Sequence, residues 1–130
     1  MARSTASTTE RGYTLSLEYP RIARAGLDVP WELTISAPAG FDDDEAVVRV
    51  SSEYFSTFQF HGISPAPTAE STDGTYTYWT FQIPAEADEF AVSVDHAVRP
   101  RTFIGGSGTV ALIVDDQVVA PLEFTTTLIP

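Results

Sequence analysis

The side chains that titrate nearest neutral pH are the two histidines, His61 and His96. A metal centre built on them would need both, together with carboxylates, because the chain has no cysteine to supply thiolate ligands. The two residues belong to different predicted strands, and the sequence does not show whether they meet in space. The favoured interpretation is structural, with His96 hydrogen-bonded at a sheet rim and His61 solvated in a loop. We therefore predict no metal ligands and no catalytic residues.

Hard oxygen ligands of the kind that Ca²⁺ prefers are concentrated in residues 42–45, Asp-Asp-Asp-Glu. Asp115 and Asp116, at the tip of a predicted hairpin, are further carboxylates that a multi-loop site could use. The run lacks the alternate spacing and the central glycine of an EF-hand loop. A solvated acidic loop is therefore favoured, and we predict no structural calcium and no other cofactor.

The glycine-rich segment 105–108, Gly-Gly-Ser-Gly, invites comparison with a phosphate-binding loop. It lacks the lysine of a P-loop, and no helix is predicted after it whose N-terminus would bind an anion. A nucleophile elbow would require a strand-to-helix turn, which is not predicted either. The scattered acidic residues carry no spacing typical of glycosidase carboxylates. We interpret 105–108 as a flexible connection and predict that the protein is not an enzyme.

Tyr76 and Tyr78 are the candidate binding residues. They alternate with Trp79 and Phe81 in the clearest predicted strand, so the two sets lie on opposite faces and one set is at least partly exposed. Exposed tyrosines on a sheet provide contact area for a protein at a low entropic cost, or a ring for a sugar to stack on. The alternative is that tyrosine is there only for its preference for strands.

The charge of the chain limits its partners. Eighteen acidic and seven basic residues among 130 give a formal net charge of −11. A field of this sign repels phosphate backbones and anionic lipid headgroups, so we expect neither nucleic acid nor a membrane surface as a partner. No apolar run approaches the ~18 residues of a membrane span. Without cysteine, stability must come from packing, and a chain of this length can form one hydrophobic core.

The elements that must position these residues are short strands separated by turns. Residues 13–19, 29–35 and 75–83 alternate apolar and polar side chains, and Pro20 is expected to end the first of them. Residues 1–12, which contain a Ser/Thr tract, are predicted to be a disordered linker because they offer little to pack. Residues 13–130 are predicted to form one all-β domain, an immunoglobulin-like antiparallel β-sandwich of seven to eight strands.

The alternation also predicts which side chains form the core. These are Leu15, Leu17, Trp31, Leu33, Val48, Val50, Trp79, Phe81, Val92, Val94, Leu112 and Phe124. Residues 52–57 break the alternation and are expected to form a turn or one helical turn that tucks aromatic side chains under the sheets. The closing hairpin is expected to have a three-residue loop that pairs Val114 with Val118, since this keeps every apolar candidate on one face. The alternative to this loop is a bulge near Pro121.

Residues 17–21 (Leu-Glu-Tyr-Pro-Arg), 53–55 (Glu-Tyr-Phe), 63–67 (Ile-Ser-Pro-Ala-Pro) and 106–108 (Gly-Ser-Gly) carry a resemblance. With them, the chain from residue 13 to 130 resembles uncharacterised bacterial membrane-tethered proteins, in which a transmembrane helix precedes a single extracytoplasmic immunoglobulin-like domain. The resemblance implies a domain that is exported and anchored by a helix outside these 130 residues. It implies no catalytic residues.

Two functional hypotheses follow. The first is a non-enzymatic extracytoplasmic interaction domain of a bacterial protein, membrane-tethered and binding a protein partner. The second is a carbohydrate-binding or adhesin-type module that uses exposed tyrosines and acidic loops, with or without calcium.

Overall fold

The computed structural model describes residues 2–24, 28–41, 43–56, 58–98 and 106–129. These residues form ten strands and one short helix. In chain order the elements are β1 (Ala2–Glu10), β2 (Tyr13–Arg24), β3 (Asp28–Ser36), β4 (Glu45–Ser51), α1 (Ser52–Ser56), β5 (Phe58–Ser64), β6 (Ala69–Thr72), β7 (Tyr76–Gln82), β8 (Glu89–Val98), β9 (Gly106–Val114) and β10 (Gln117–Ile129).

The strands form one curled sheet whose two parts pack against each other. The first sheet has the order β5-β8-β3-β2, with β1 also paired to β2, and the second has the order β10-β9-β4-β7-β6. Strand β10 belongs to both, because it pairs antiparallel with β9 along most of its length and parallel with β2 over residues 127–129. The prediction of an all-β, immunoglobulin-like sandwich is confirmed, but the described residues form ten strands rather than the seven to eight predicted. The strands β1 and β6 were not predicted, since neither carries large apolar side chains.

The core lies between the two sheets and is rich in aromatic rings. Trp31, on β3, makes ring contacts with Phe55 (5.5 Å between centroids), Trp79 (6.5 Å) and Phe124 (6.0 Å). It therefore joins the first sheet to α1 and to two strands of the second sheet. All twelve core residues predicted from the alternation are buried. The helical turn α1 also agrees with the prediction, with Tyr54 fully buried beneath the sheets.

A short polar network crosses this core. The hydroxyl of Thr126 donates to the carbonyl oxygen of Pro20 (2.6 Å), and the Tyr54 hydroxyl lies 2.9 Å from the same Thr126 oxygen. Burial raises the pKa of Tyr54, so its phenol stays protonated and can donate to Thr126. Strand β2 continues through Pro20 to Arg24, contrary to the prediction that Pro20 ends it. The proline is accommodated where the β1–β2 register shifts and where its carbonyl has this partner.

The N-terminal residues differ from the prediction. Ala2–Glu10 is a strand that pairs antiparallel with β2, and this corrects the disordered linker expected over 1–12. The side chains alternate between exposed and half-buried, and Ala6, opposite Leu17, packs against the core. The strand is held by backbone hydrogen bonds and by an ion pair between Arg3 and Glu18. Small Ser, Thr and Ala side chains fit this sheet edge but show no hydrophobic periodicity in the sequence.

The closing hairpin has a two-residue turn, so the three-residue loop was wrong. Val114 pairs with Gln117, and Asp115 and Asp116 form the turn with φ values of 50° and 62°. Two consecutive left-handed residues are the geometry of a type I′ turn, which matches the twist of a hairpin. This register leaves Val118 on the outer face, where it is 42% exposed.

The alternative prediction, a bulge near Pro121, is confirmed. The register shifts between Val119 and Leu122, and Ala120 takes a left-handed conformation with φ 53°. The backbone N–H of Ala120 donates to the Glu10 side chain on β1 (2.8 Å). The bulge changes which positions of β10 face inward. Val119, before the bulge, and Leu122, after it, are therefore both buried.

The glycine-rich segment is also more ordered than predicted. Its last three residues, 106–108, begin β9, while Gly105 lies outside the described residues. Gly108 faces the core, where a β-carbon would come within 2.7 Å of the Phe124 ring and 2.9 Å of the Tyr54 β-carbon. The glycine is therefore required by close packing rather than by flexibility.

Candidate binding face

The solvent side of the second sheet brings together the predicted tyrosines and side chains from four neighbouring strands. We call it the outer face, and it consists of Val47, Arg49, Tyr76, Tyr78, Thr80, Thr109, Ile113 and Val118. Strand alternation explains its composition, because Val48, Trp79 and Leu112 point into the core and their chain neighbours point outward.

Arg49 lies at the centre of the outer face. In the ladder it is opposite Tyr78 on β7 and Ala111 on β9. Its guanidinium carbon lies 3.9 Å from the centroid of the Tyr76 ring, a cation–π contact that fixes the side chain along the sheet. Sequence reasoning missed Arg49. The alternation of β4 shows that it points outward, but its position beside both tyrosines depends on the pairing of β4 with β7.

The two tyrosines are both half-buried, and Tyr78 is held by a turn at the start of β7. Its hydroxyl donates to Oδ2 of Asp73 (3.2 Å), while Oδ1 of Asp73 accepts the backbone N–H groups of Thr75 (2.9 Å) and Tyr76 (2.7 Å). These backbone donors are the main cause that lowers the pKa of Asp73. Partial burial, followed by the hydrogen bond to Asp73, raises the pKa of Tyr78. The tyrosine therefore presents a neutral, oriented ring.

Apolar side chains extend the outer face toward the closing hairpin. Val47 pairs with Ile113 on one side, and Ile113 pairs with Val118 on the other. Val47 and Ile113 are half-buried, and Val118 is the single exposed large hydrophobic residue among those the structure describes. Tyrosine and arginine, which lie beside these aliphatic side chains, are enriched in protein–protein interfaces.

Carboxylates surround the outer face. Glu45 follows the same alternation as Arg49 at the start of β4, Glu123 is opposite Thr109, and Asp73 holds Tyr78 at the far corner. Asp115 lies in the hairpin turn, with its side chain 82% exposed. We call these four residues the acidic rim. They place negative potential around a centre that carries a positive charge.

A groove lies at the hairpin end of the outer face, with a volume of about 350 Å³. Tyr13 and Phe41 line it with their rings 6.0 Å apart, and Asp43, Glu45 and Asp116 are among the carboxylates at its wall. The fold thus brings the acidic run and the hairpin tip together, which the sequence left open. Asp42 lies outside the described residues. No group of three or more metal-binding side chains is found within the ranges that the structure covers.

We expect calcium to have no effect on the thermal stability of the domain. The exposed carboxylates of Asp43 and Glu45 are solvated, and a cation that bound only the folded state would raise the melting temperature by mass action. Melting curves recorded in excess EDTA and in millimolar Ca²⁺ should therefore coincide. A shift of many degrees between them would contradict the prediction.

The histidines are described only through their backbones. His96 lies on β8 opposite Phe60 of β5, and the register between the two strands shifts between Phe60 and Gly62, at His61. The chain thus places the two histidines on neighbouring strands. His61 lies within β5, which corrects the loop expected for it. The side chains of both histidines lie outside what the structure describes, so the hydrogen bond predicted for His96 and the solvation predicted for His61 stay predictions.

Comparison with solved structures decides the fold. The N-terminal domain of the Streptococcus gordonii adhesin Sgo0707 matches with a TM-score of 0.61 and 13% identity, covering 92% of this chain and 33% of that chain. The CARDB domain of the Pyrococcus furiosus PF1109 protein, solved with di-metal ions, matches with a TM-score of 0.55 and 14% identity, covering 95% of both chains. The fold is that of an immunoglobulin-like β-sandwich.

A cohesin module from a Clostridium perfringens family 33 glycoside hydrolase matches at 0.55 and 10% identity, over 97% of this chain and 98% of that chain. The chain thus spans a third of the adhesin structure but nearly the whole of the CARDB domain and the cohesin module. No protein-family model matches the sequence, and no curated protein matches it. Among the described residues no helix is long and apolar enough to cross a bilayer.

Proposed function

We propose that this domain is a non-catalytic interaction module that works outside the cytoplasm and binds a protein partner through the outer face. The observation that carries the proposal is the presence of Tyr76, Tyr78 and Arg49 on one face of a sheet with two half-buried aliphatic side chains and one exposed one, Val118. Adhesin and cohesin domains of the same fold support it. Tethering to a bacterial membrane, which the sequence resemblance implies, would present this face to partners at the cell surface.

Site-specific photo-crosslinking tests the proposal. A benzoylphenylalanine placed at Val118, on the outer face, is compared with one at Ala91, an exposed residue of β8 in the first sheet. With a surface extract of the source organism, we expect a discrete protein adduct from position 118 only. Excess unlabelled wild-type domain should compete it away, whereas a domain with both tyrosines changed to serine should not. Equal adducts from both positions, or no loss on competition, would overturn the proposal.

A carbohydrate-binding module is the second candidate, and the groove favours it. Phe41, which is half-buried, provides an aromatic ring beside exposed carboxylates, which can accept hydrogen bonds from sugar hydroxyls. Tyr13 is buried and packs against the Phe41 ring. A glycan array probed with the domain, with and without Ca²⁺, separates the two functions. Binding to a neutral glycan that Phe41→Ala abolishes and Tyr78→Ser leaves unchanged would favour the carbohydrate function.

A further inference from the structure

Among the arginines whose side chains the structure describes, Arg49 is half-buried, whereas Arg3, Arg11 and Arg21 are exposed. Arg3 forms an ion pair with Glu18, and Arg11 with Asp115. The Arg49 side chain has no ion pair or hydrogen bond with any described residue, although the chain carries a net charge of −11. Its Nε is buried and has no hydrogen-bond partner among these residues. Within the described residues, the guanidinium is held by its cation–π contact with the ring of Tyr76.

A second polar group without a partner lies on the same face. The Thr109 hydroxyl, on β9 two residues before Ala111, is buried and has no hydrogen-bond partner in the described part of the chain. Leaving polar groups unsatisfied costs free energy, and the cost is larger for a charged group. A carboxylate accepts hydrogen bonds from a guanidinium fork in a geometry that a neutral acceptor does not match. A ligand that supplies a carboxylate would give the guanidinium of Arg49 the charged partner that it lacks among the described residues.

The charges around Arg49 determine what else the ligand must carry. The acidic rim, Glu45, Asp73, Asp115 and Glu123, repels an acidic surface and attracts a basic one. A ligand that fits both features has one acidic side chain at its centre and basic side chains around it. Resting on the proposed function, we infer that the protein partner presents an Asp or Glu side chain to Arg49 from a segment that is otherwise basic.

Selection from a phage-displayed random peptide library against the whole 130-residue domain tests this inference. We expect the enriched peptides to share an Asp or Glu flanked by Lys or Arg. A synthetic peptide from the selection should bind about ten- to a hundredfold more weakly to an Arg49→Gln domain, because a charge-assisted hydrogen bond is lost. Its twin with the acid replaced by the amide should bind the wild-type domain as weakly. Arg21→Gln, which removes an equal charge from the exposed side of β2, should leave affinity unchanged.

The outcomes separate the inference from the proposed function. Peptides whose binding needs Tyr76 and Tyr78, but which carry no acid and ignore Arg49→Gln, would overturn the inference and leave the proposed function standing. A selection in which no peptide depends on the tyrosines would overturn both. Binding of polygalacturonate that requires Arg49, without any acidic peptide, would assign the carboxylate to a carbohydrate and also overturn the inference. Unchanged melting temperatures would show that the Arg49 and Arg21 variants are folded.

Discussion

Replacing Trp79 with alanine is expected to destabilise the domain by about 3–5 kcal/mol, the usual cost of truncating a buried tryptophan. Trp79 is 3% exposed and packs against Trp31 of the first sheet and Phe55 of α1. Its removal leaves a cavity where three elements meet, and the rings around it are too rigid to fill the space. Chemical denaturation of the two proteins measures the change in the free energy of unfolding.

Tyr78→Ala is the matched control, since Tyr78 is the next residue back along β7 and points to the opposite face. We expect a cost below about 1 kcal/mol, because the side chain is half-buried and loses one exposed hydrogen bond to Asp73. If Trp79→Ala left the free energy of unfolding almost unchanged, or if Tyr78→Ala lowered it more than Trp79→Ala, the faces of β7 would be reversed. The outer face would then not be a binding surface.

Gly108→Ala is expected to destabilise the domain by about 1–3 kcal/mol through overpacking. The added carbon would lie 2.7 Å from the Phe124 ring and 2.9 Å from the Tyr54 β-carbon. Neither group can easily withdraw, because the Tyr54 and Phe124 rings are 4.7 Å apart in an edge-to-face contact and Tyr54 is also hydrogen-bonded to Thr126. Denaturation curves of the variant should show a lower midpoint with an unchanged slope.

Gly62→Ala provides the comparison for this substitution. Gly62 also lies in a strand, β5, but no atom lies within 4 Å of the position its β-carbon would take. Alanine there should be neutral or slightly stabilising, because it lowers the conformational entropy of the unfolded chain. Equal destabilisation at both positions would show that strand glycines matter for a reason other than the contacts of Gly108.

Side-chain alternation alone predicted which residues of several strands lie in the core and which lie on the opposite face. In a strand, successive side chains point to opposite faces whatever the strand pairs with, so the period of two in β2, β3 and β7 is a local property. It identified Leu15, Leu33 and Trp79 as core residues and placed Tyr76 and Tyr78 on the other side. The absence of cysteine excluded disulfides. The alternation, together with the turn residues between the strands, predicted the all-β domain.

Tertiary structure decided what depends on pairing between distant segments. Strand β1 is held by backbone hydrogen bonds to β2, and its Ser and Thr residues form no apolar pattern from which a strand could be predicted. In the closing hairpin, the bulge at Ala120 is accompanied by a hydrogen bond from its backbone N–H to the side chain of Glu10, 110 residues away in the chain. Arg49 became part of the binding face only through the register of β4 against β7. The alternation of a strand fixes which way a side chain points, but the identity of its neighbours is a property of the assembled sheet.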